Sequence, residues 1–282
     1  MIRSIFRLNS HAIPAQNMSS ASDSQDERDA LACLALLARA YETFDVPVNF
    51  PTYSAPTHVF GLNIHALIID NIDGEVCALE RNAIHATSNP LEHGEQRALR
   101  TAIPRVLAKR PRGPSQAIEQ YYRGSMFLEP GTTDADFLDK GATLYTTLEP
   151  CPFCASALLV ARMKRVCYLT PDATFGGAWT TLKCAHIPYS RDDTRYLAYT
   201  PGPGAGALVT EARRIQTELM NRIATVFLPA KVRETHFLDR SRDLLEDAFN
   251  VFQNLQLHDV TDPRNQQTLK ELRRLLAMTA PL

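Results

Sequence analysis

Two short motifs constrain this chain more than anything else in it: His93-Gly94-Glu95, and Pro150-Cys151-Pro152-Phe153-Cys154. The second follows an extended run, TLYTT at 143–147, and opens an apolar stretch that reads as a helix over 152–163. Pro150 sits where the strand must stop. Pro152 suits a first helical turn, where a missing N–H has no partner to lose. Cys151 and Cys154 stand three positions apart, so in a helix they share a face and hold one ion between them. His93 adds an imidazole from the start of a second predicted helix, which Pro90 opens over 91–103. One imidazole and two thiolates leave the fourth position of a tetrahedral zinc ion open to water, the layout of a catalytic site rather than a structural one. Both motifs fall at helix starts, whose positive end favours the ionised thiols that metal binding requires. Glu95, two residues beyond His93, brings a carboxylate beside the ion without being a ligand and is the candidate proton carrier. A closed structural zinc or a redox pair would want a second CxxC or paired histidines, and the sequence shows neither.

HGE followed by PCPFC resembles the HxE and PCxxC signature of the cytidine-deaminase-like superfamily. More narrowly, LYTTLEPCPFC is similar to the branch that holds bacterial tRNA adenosine deaminases, guanine deaminases and fungal cytosine deaminases. The likeness runs over residues 58–175. It implies an α/β fold, a three-layer α/β/α arrangement around a mostly five-stranded mixed sheet. Zn2+ would lie between the N-termini of the two motif helices. The resemblance further implies His93, Cys151 and Cys154 as metal ligands and Glu95 as the catalytic residue. It puts Asn82 where family members bind substrate and turns the backbone N–H of Gly94 toward a ring carbonyl. Neighbouring subunits often complete the pocket in this superfamily, so a homo-oligomer is implied as well.

Outside the motifs the chain divides unevenly. Residues 1–24 read as a disordered tail, 25–230 as the deaminase-like domain with an insertion at 104–141, and 231–282 as a C-terminal helical extension. Ser24 and Glu27 have capping-box spacing, and Leu31, Leu34, Ala38 and Tyr41 recur with helical period, which predicts a helix over 25–43. HVFGLNIHALII at 58–69, a turn at Asn71–Gly74 and then EVCALE predict a hairpin. RVCYLT at 165–170 reads as a further strand, so strand, helix and strand alternate as a parallel βαβ unit needs. Prolines 104, 111, 114 and 130 predict a long connection. Residues 171–206 look irregular, and helices are predicted at 208–222, 236–255 and 264–278, with 223–228 open between strand and helix end. His65 reads as a core histidine and His85 as a loop residue; Trp179 and Asp172 are weaker pocket candidates.

Thirty Lys and Arg against 31 Asp and Glu give a formal net charge of -1, so the bulk charge advertises no strong grip on nucleic acid. The basic stretch Arg105, Lys109, Arg110 and Arg112 reads first as a solvated face and second as a phosphate contact. No apolar run approaches the roughly 18 residues of a membrane span. Six cysteines without a secretory signal point to a reducing, cytoplasmic setting, although the arginine- and hydroxyl-bearing N-terminus has some transit-peptide character. The expected activity is hydrolytic deamination of an amino-substituted nucleobase or nucleoside to its carbonyl form, with release of ammonia. Two alternatives stand beside it: a tRNA adenosine deaminase that makes inosine, and a non-catalytic subunit with the deaminase fold.

Overall fold

The computed structural model describes residues 16–43, 63–84, 87–109, 141–161, 163, 165–172, 195–198, 206–226 and 241–277. In chain order these form helix α1 (Gln16–Glu42), strands β1 (His65–Asp70) and β2 (Val76–Arg81), and helix α2 (Gly94–Lys109). Strand β3 (Ala142–Leu148), helix α3 (Pro152–Val160), and strands β4 (Arg165–Thr170) and β5 (Arg195–Ala198) follow. Helices α4 (Ala207–Val226), α5 (Arg242–Asn254) and α6 (Pro263–Ala277) end the described chain.

The strands make one mixed sheet in the order β2-β1-β3-β4-β5. β1 pairs antiparallel with both β2 and β3, while β3, β4 and β5 run parallel. All six residues of β1 are buried, as expected for a strand covered on both faces. Its side chains alternate accordingly: Leu67 and Ile69 enter the core on the α1 side, Ala66 and Ile68 the core shared with α2 and α3. The three strands from β3 to β5 leave their carboxyl ends beside the N-terminus of α3, the usual place for a site in an α/β sheet.

Helix α1 departs most from its predicted form. It begins at Gln16, so residues 16–24 are helical rather than part of a disordered tail, and the Ser24–Glu27 pattern lies in the helix interior instead of capping it. Both side chains serve a distant segment. Ser24 bonds Asp262, and the Glu27 carboxylate accepts the backbone N–H groups of Thr261 and Asp262 at 2.6 and 3.1 Å, together with Asn265 Nδ2 at 2.8 Å. The box thus caps α6 rather than its own helix, because a carboxylate satisfies orphan N–H groups equally well from either side of a fold. Residues Ala30 to Ala38 are all fully buried, since the sheet covers one side of α1 and α4, α5 and α6 cover the other.

Two further expectations are corrected, and one reading left open is resolved. Helix α2 passes through Pro104 to Lys109, so the connection predicted from 104 starts later; the buried row Ala98, Ala102 and Val106 carries the helix past a proline on its exposed side. The stretch 171–206 contains β5, too short to show a period. Residues 223–226 continue α4 rather than forming a strand. Residues 110–140, the body of the insertion, lie outside the described residues, as do His85, Trp179, Arg110 and Arg112. No described helix is long and apolar enough to cross a membrane.

Candidate metal centre

The two motifs meet where their helices begin. His93 immediately precedes α2, and Cys151 occupies the cap position of α3 in extended conformation (φ -64°, ψ 168°), with Pro152 opening the helix. No side chain caps α3, so its first N–H groups are left facing the cysteines. Cys154 lies one turn in and is fully buried. The donor atoms of His93, Cys151 and Cys154 all lie within 4.8 Å of one another, and Cys151 Sγ is 3.7 Å from His93 Nδ1. Ligand atoms around a tetrahedral zinc are separated by roughly 3.5–3.8 Å, from Zn–S near 2.3 Å and Zn–N near 2.0–2.1 Å. The donor set therefore fits the ion in number and chemistry, and the Cys151–His93 spacing matches a tetrahedral zinc. The three ligands expected from the sequence lie together in the structure.

Electrostatics agree with that fit. The Cys151 thiol is lowered to about 4, first by the hydrogen bond it shares with Cys154 and then by His93, against the opposing cost of burial. Cys154 is pushed up by the same partnership and by burial. His93 is raised by Cys151 and also hydrogen-bonds the backbone of Pro90, the kind of outer contact that fixes a ligating ring. Glu95 is 3 % exposed, its Oε2 has no hydrogen-bond partner, and burial pushes its carboxyl up to about 7. A buried carboxylate oxygen without a donor is rare in a folded chain and marks a place prepared for something else.

Asn82 and Gly94 meet each other rather than standing apart. The Gly94 N–H, expected to face a ring carbonyl, donates in this structure to Asn82 Oδ1 at 2.6 Å, which takes this orphan donor of α2. A Cβ at 94 would press within 3.2 Å of the Ile64 carbonyl, which explains a glycine there. Asn82 keeps its Nδ2 unpartnered and buried, 1 % exposed, so the side-chain amide rather than the helix N–H is the donor left over. Asp172 is buried, and its N–H donates to Glu149 Oε2 at 3.2 Å at the ends of β4 and β3. Phe153 is half-exposed and meets the His93 ring edge-to-face at 5.8 Å. Of the basic stretch, Lys109 is engaged by Asp73 at 2.7 Å and by Glu75, and the described part offers no phosphate cradle.

Residues 57–170 match the cytidine and deoxycytidylate deaminase zinc-binding region, and all the clustered residues fall within that span. This part of the chain is similar to the zinc-binding region of cytidine and deoxycytidylate deaminases. Over 173 residues, 61% of this chain and 83% of the relative, it is 24% identical to a tRNA-specific adenosine deaminase of Aquifex aeolicus (strain VF5). A protein of the same name from Rickettsia felis (strain ATCC VR-1525 / URRWXCal2) is 24% identical over 160 residues, 57% of this chain and 87% of the relative. One from Bacillus subtilis (strain 168) is 44% identical over 43 residues, 15% of this chain and 27% of the relative. Among solved structures, one from a study of A-to-I editing by tRNA:A34 deaminases at the wobble position of transfer RNA aligns with TM-score 0.29 at 24% identity. It covers 48% of this chain and 74% of that one. A guanine deaminase from Bacillus subtilis aligns with TM-score 0.27 at 22% identity, over 49% of this chain and 72% of its own. The matched region and the His/Cys cluster together identify zinc as the metal that this site would hold.

Sequence reasoning passed over Glu80, Glu92 and Arg97, whose ion pairs surround the first motif. Their link joins a strand to a helix across the fold, and no local spacing reveals such a pair.

Proposed function

We propose that this chain is a zinc-dependent hydrolytic deaminase of a free nucleobase or nucleoside, with His93, Cys151 and Cys154 as ligands and Glu95 as the catalytic residue. The observation that carries the reading is the buried, unpartnered Glu95 Oε2 beside a three-donor cluster that leaves one tetrahedral position open. Zinc held there supplies Lewis acidity, which lowers the pKa of water enough to make it a nucleophile at neutral pH. Glu95 does the proton work. Its carboxylate takes a proton from the attacking water, passes it to the ring nitrogen next to the amino-bearing carbon, and then delivers a proton to the departing amino group. Water adds, the C–N bond breaks, ammonia leaves, and the ring carbon keeps the oxygen as a carbonyl. A carboxyl raised to about 7 suits both directions of transfer near neutral pH. Asn82 Nδ2 is the donor for a substrate acceptor atom, and half-exposed Phe153, beside the His93 ring, offers the substrate ring an apolar contact.

The test is ammonia release by zinc-loaded protein over guanine, cytosine, adenine, their nucleosides and pterins. Turnover of at least one is expected; none, with zinc bound, would overturn the reading. The names of the relatives from Aquifex aeolicus and Rickettsia felis favour a second reading, adenosine in tRNA. The same screen extended to tRNA separates the two, because an enzyme held by phosphates loses affinity steeply as salt rises. The near-neutral charge and the engagement of Lys109 favour the small substrate.

A further inference from the structure

The two chain segments that deliver the first half of the site are joined by one arginine. Arg97 lies one turn beyond His93, whose carbonyl accepts its N–H at 3.0 Å. Its guanidinium is forked: Nη2 donates to Glu80 Oε2 at 3.1 Å and Nη1 to Glu92 Oε2 at 3.1 Å. Glu80 stands on β2 two residues before Asn82, and Glu92 immediately precedes His93. Each carboxylate is held from a second direction, Glu80 by Thr101 Oγ1 at 2.7 Å and Glu92 by Arg100 Nη2 at 2.5 Å. The Ala83 N–H, next to Asn82, donates to the Glu92 carbonyl at 2.9 Å and closes the intervening loop. Pro90, whose backbone hydrogen-bonds the His93 ring, lies inside that loop.

We propose that Arg97 is a positioning residue of the metal centre: its fork fixes the distance between the strand end that carries Asn82 and the loop that orients His93. The inference rests on the zinc reading above and deepens it. A guanidinium is suited to the task because it bridges two carboxylates in one rigid plane, which an ammonium on a flexible stem does not. Without it, Glu92 keeps Arg100 and Glu80 keeps Thr101, but no side chain bridges the two carboxylates, and the loop is tied to β2 by backbone bonds alone. The Arg97 side chain is 30% exposed, so its ion pairs by themselves contribute little to stability, and their effect falls on ligand geometry instead.

Metal affinity of the full-length protein is the readout, measured by titrating Zn2+ against a chromophoric chelator and by the visible spectrum of the Co2+ form. Arg97→Ala is expected to bind Zn2+ about 10-fold more weakly than wild type, with a shifted Co2+ spectrum, the usual scale for losing a partner that orients a ligand. Arg97→Lys is expected to fall between the two. Arg100→Ala, whose side chain is 57% exposed and among the described residues pairs with Glu92 without reaching Glu80, is expected to bind as wild type does. Wild-type affinity and spectrum in Arg97→Ala would overturn the proposal, as would an equal loss in Arg100→Ala, which would make the effect one of general charge. If Arg97→Ala does not fold, Arg97→Lys decides: an affinity equal to wild type there shows that the fork is dispensable. A wild-type protein that binds no metal would overturn the zinc reading itself, and this inference with it.

Discussion

At the residue scale, the proposed site divides two tasks: His93 and the two cysteines would hold the ion, and Glu95, buried and without a donor on Oε2, would carry the proton. Glu95→Gln removes the proton carrier and keeps the shape and the metal donors. Its turnover is expected to fall by roughly 10²- to 10⁴-fold, the range for positioned acid and base groups, with zinc content unchanged by elemental analysis. Retained activity would show that the carboxylate does not move the proton. Cys151→Ala is expected to behave oppositely, losing the metal first, because two donors no longer make the three-ligand set. Metal retained at wild-type stoichiometry in that variant would remove Cys151 from the ligands.

At the element scale, the sheet places the site and the helices hold the sheet in place. His65 opens β1 fully buried, with Nε2 2.7 Å from Asn63 Oδ1 and 2.9 Å from Thr43 Oγ1 and no partner on Nδ1. Burial, aided by Arg81 and Arg39, holds it well below the usual histidine range. The unfolded chain therefore takes up a proton near pH 6.5 that the folded chain refuses, and stability falls as pH drops below that value. The slope is at most about 1.4 kcal/mol per pH unit for one such proton. Urea unfolding at pH 7, 6 and 5 is expected to show this loss in wild type and a flatter profile in His65→Gln; parallel profiles would clear His65 of responsibility. Glu27→Ala strips α6 of its borrowed cap, four charge-assisted hydrogen bonds accepted by one carboxylate. A loss of about 2 kcal/mol in unfolding free energy is expected, with faster amide exchange over 261–277. An unchanged midpoint would mean that the local Asp262 contacts suffice.

At the scale of the whole molecule, the helices that follow the matched region are part of the same core. Leu244, Leu245 and Phe252 of α5 and Leu269, Leu272 and Leu276 of α6 join one buried cluster with α1 and the sheet. Helix α6 also clamps the β1–β2 turn: Thr268 Oγ1 donates to the Gly74 carbonyl at 2.6 Å, and Glu271 Oε2 accepts the Val76 N–H at 2.6 Å. Gly74 has φ +78° and no room for a Cβ against the α6 backbone. Glu271 thereby satisfies a donor on the edge strand β2. A chain ending at residue 240 exposes the outer face of α1 and is expected to be insoluble or to lose its cooperative thermal transition by circular dichroism. A truncated chain that folds and binds zinc would show the last helices to be separable.

The metal centre was legible in the sequence because each of its parts is local. Cysteines three apart at a strand-to-helix junction, and a histidine two residues before a glutamate, carry their geometry in their spacing. The hairpin and β4 were legible for the same reason, since a period of two and a turn at Asn71–Gly74 leave a short-range trace. What the tertiary structure decided is where groups with several equivalent local uses found partners. Ser24 and Glu27 spell a cap for their own helix and serve another far along the chain; the Gly94 N–H, open in principle to a ligand, is taken by Asn82; Arg97 reads as one more surface cation and bridges two elements. A hydrogen-bonding group is satisfied by any partner of the right chemistry that comes within about 3 Å, and only the folded chain determines which one does.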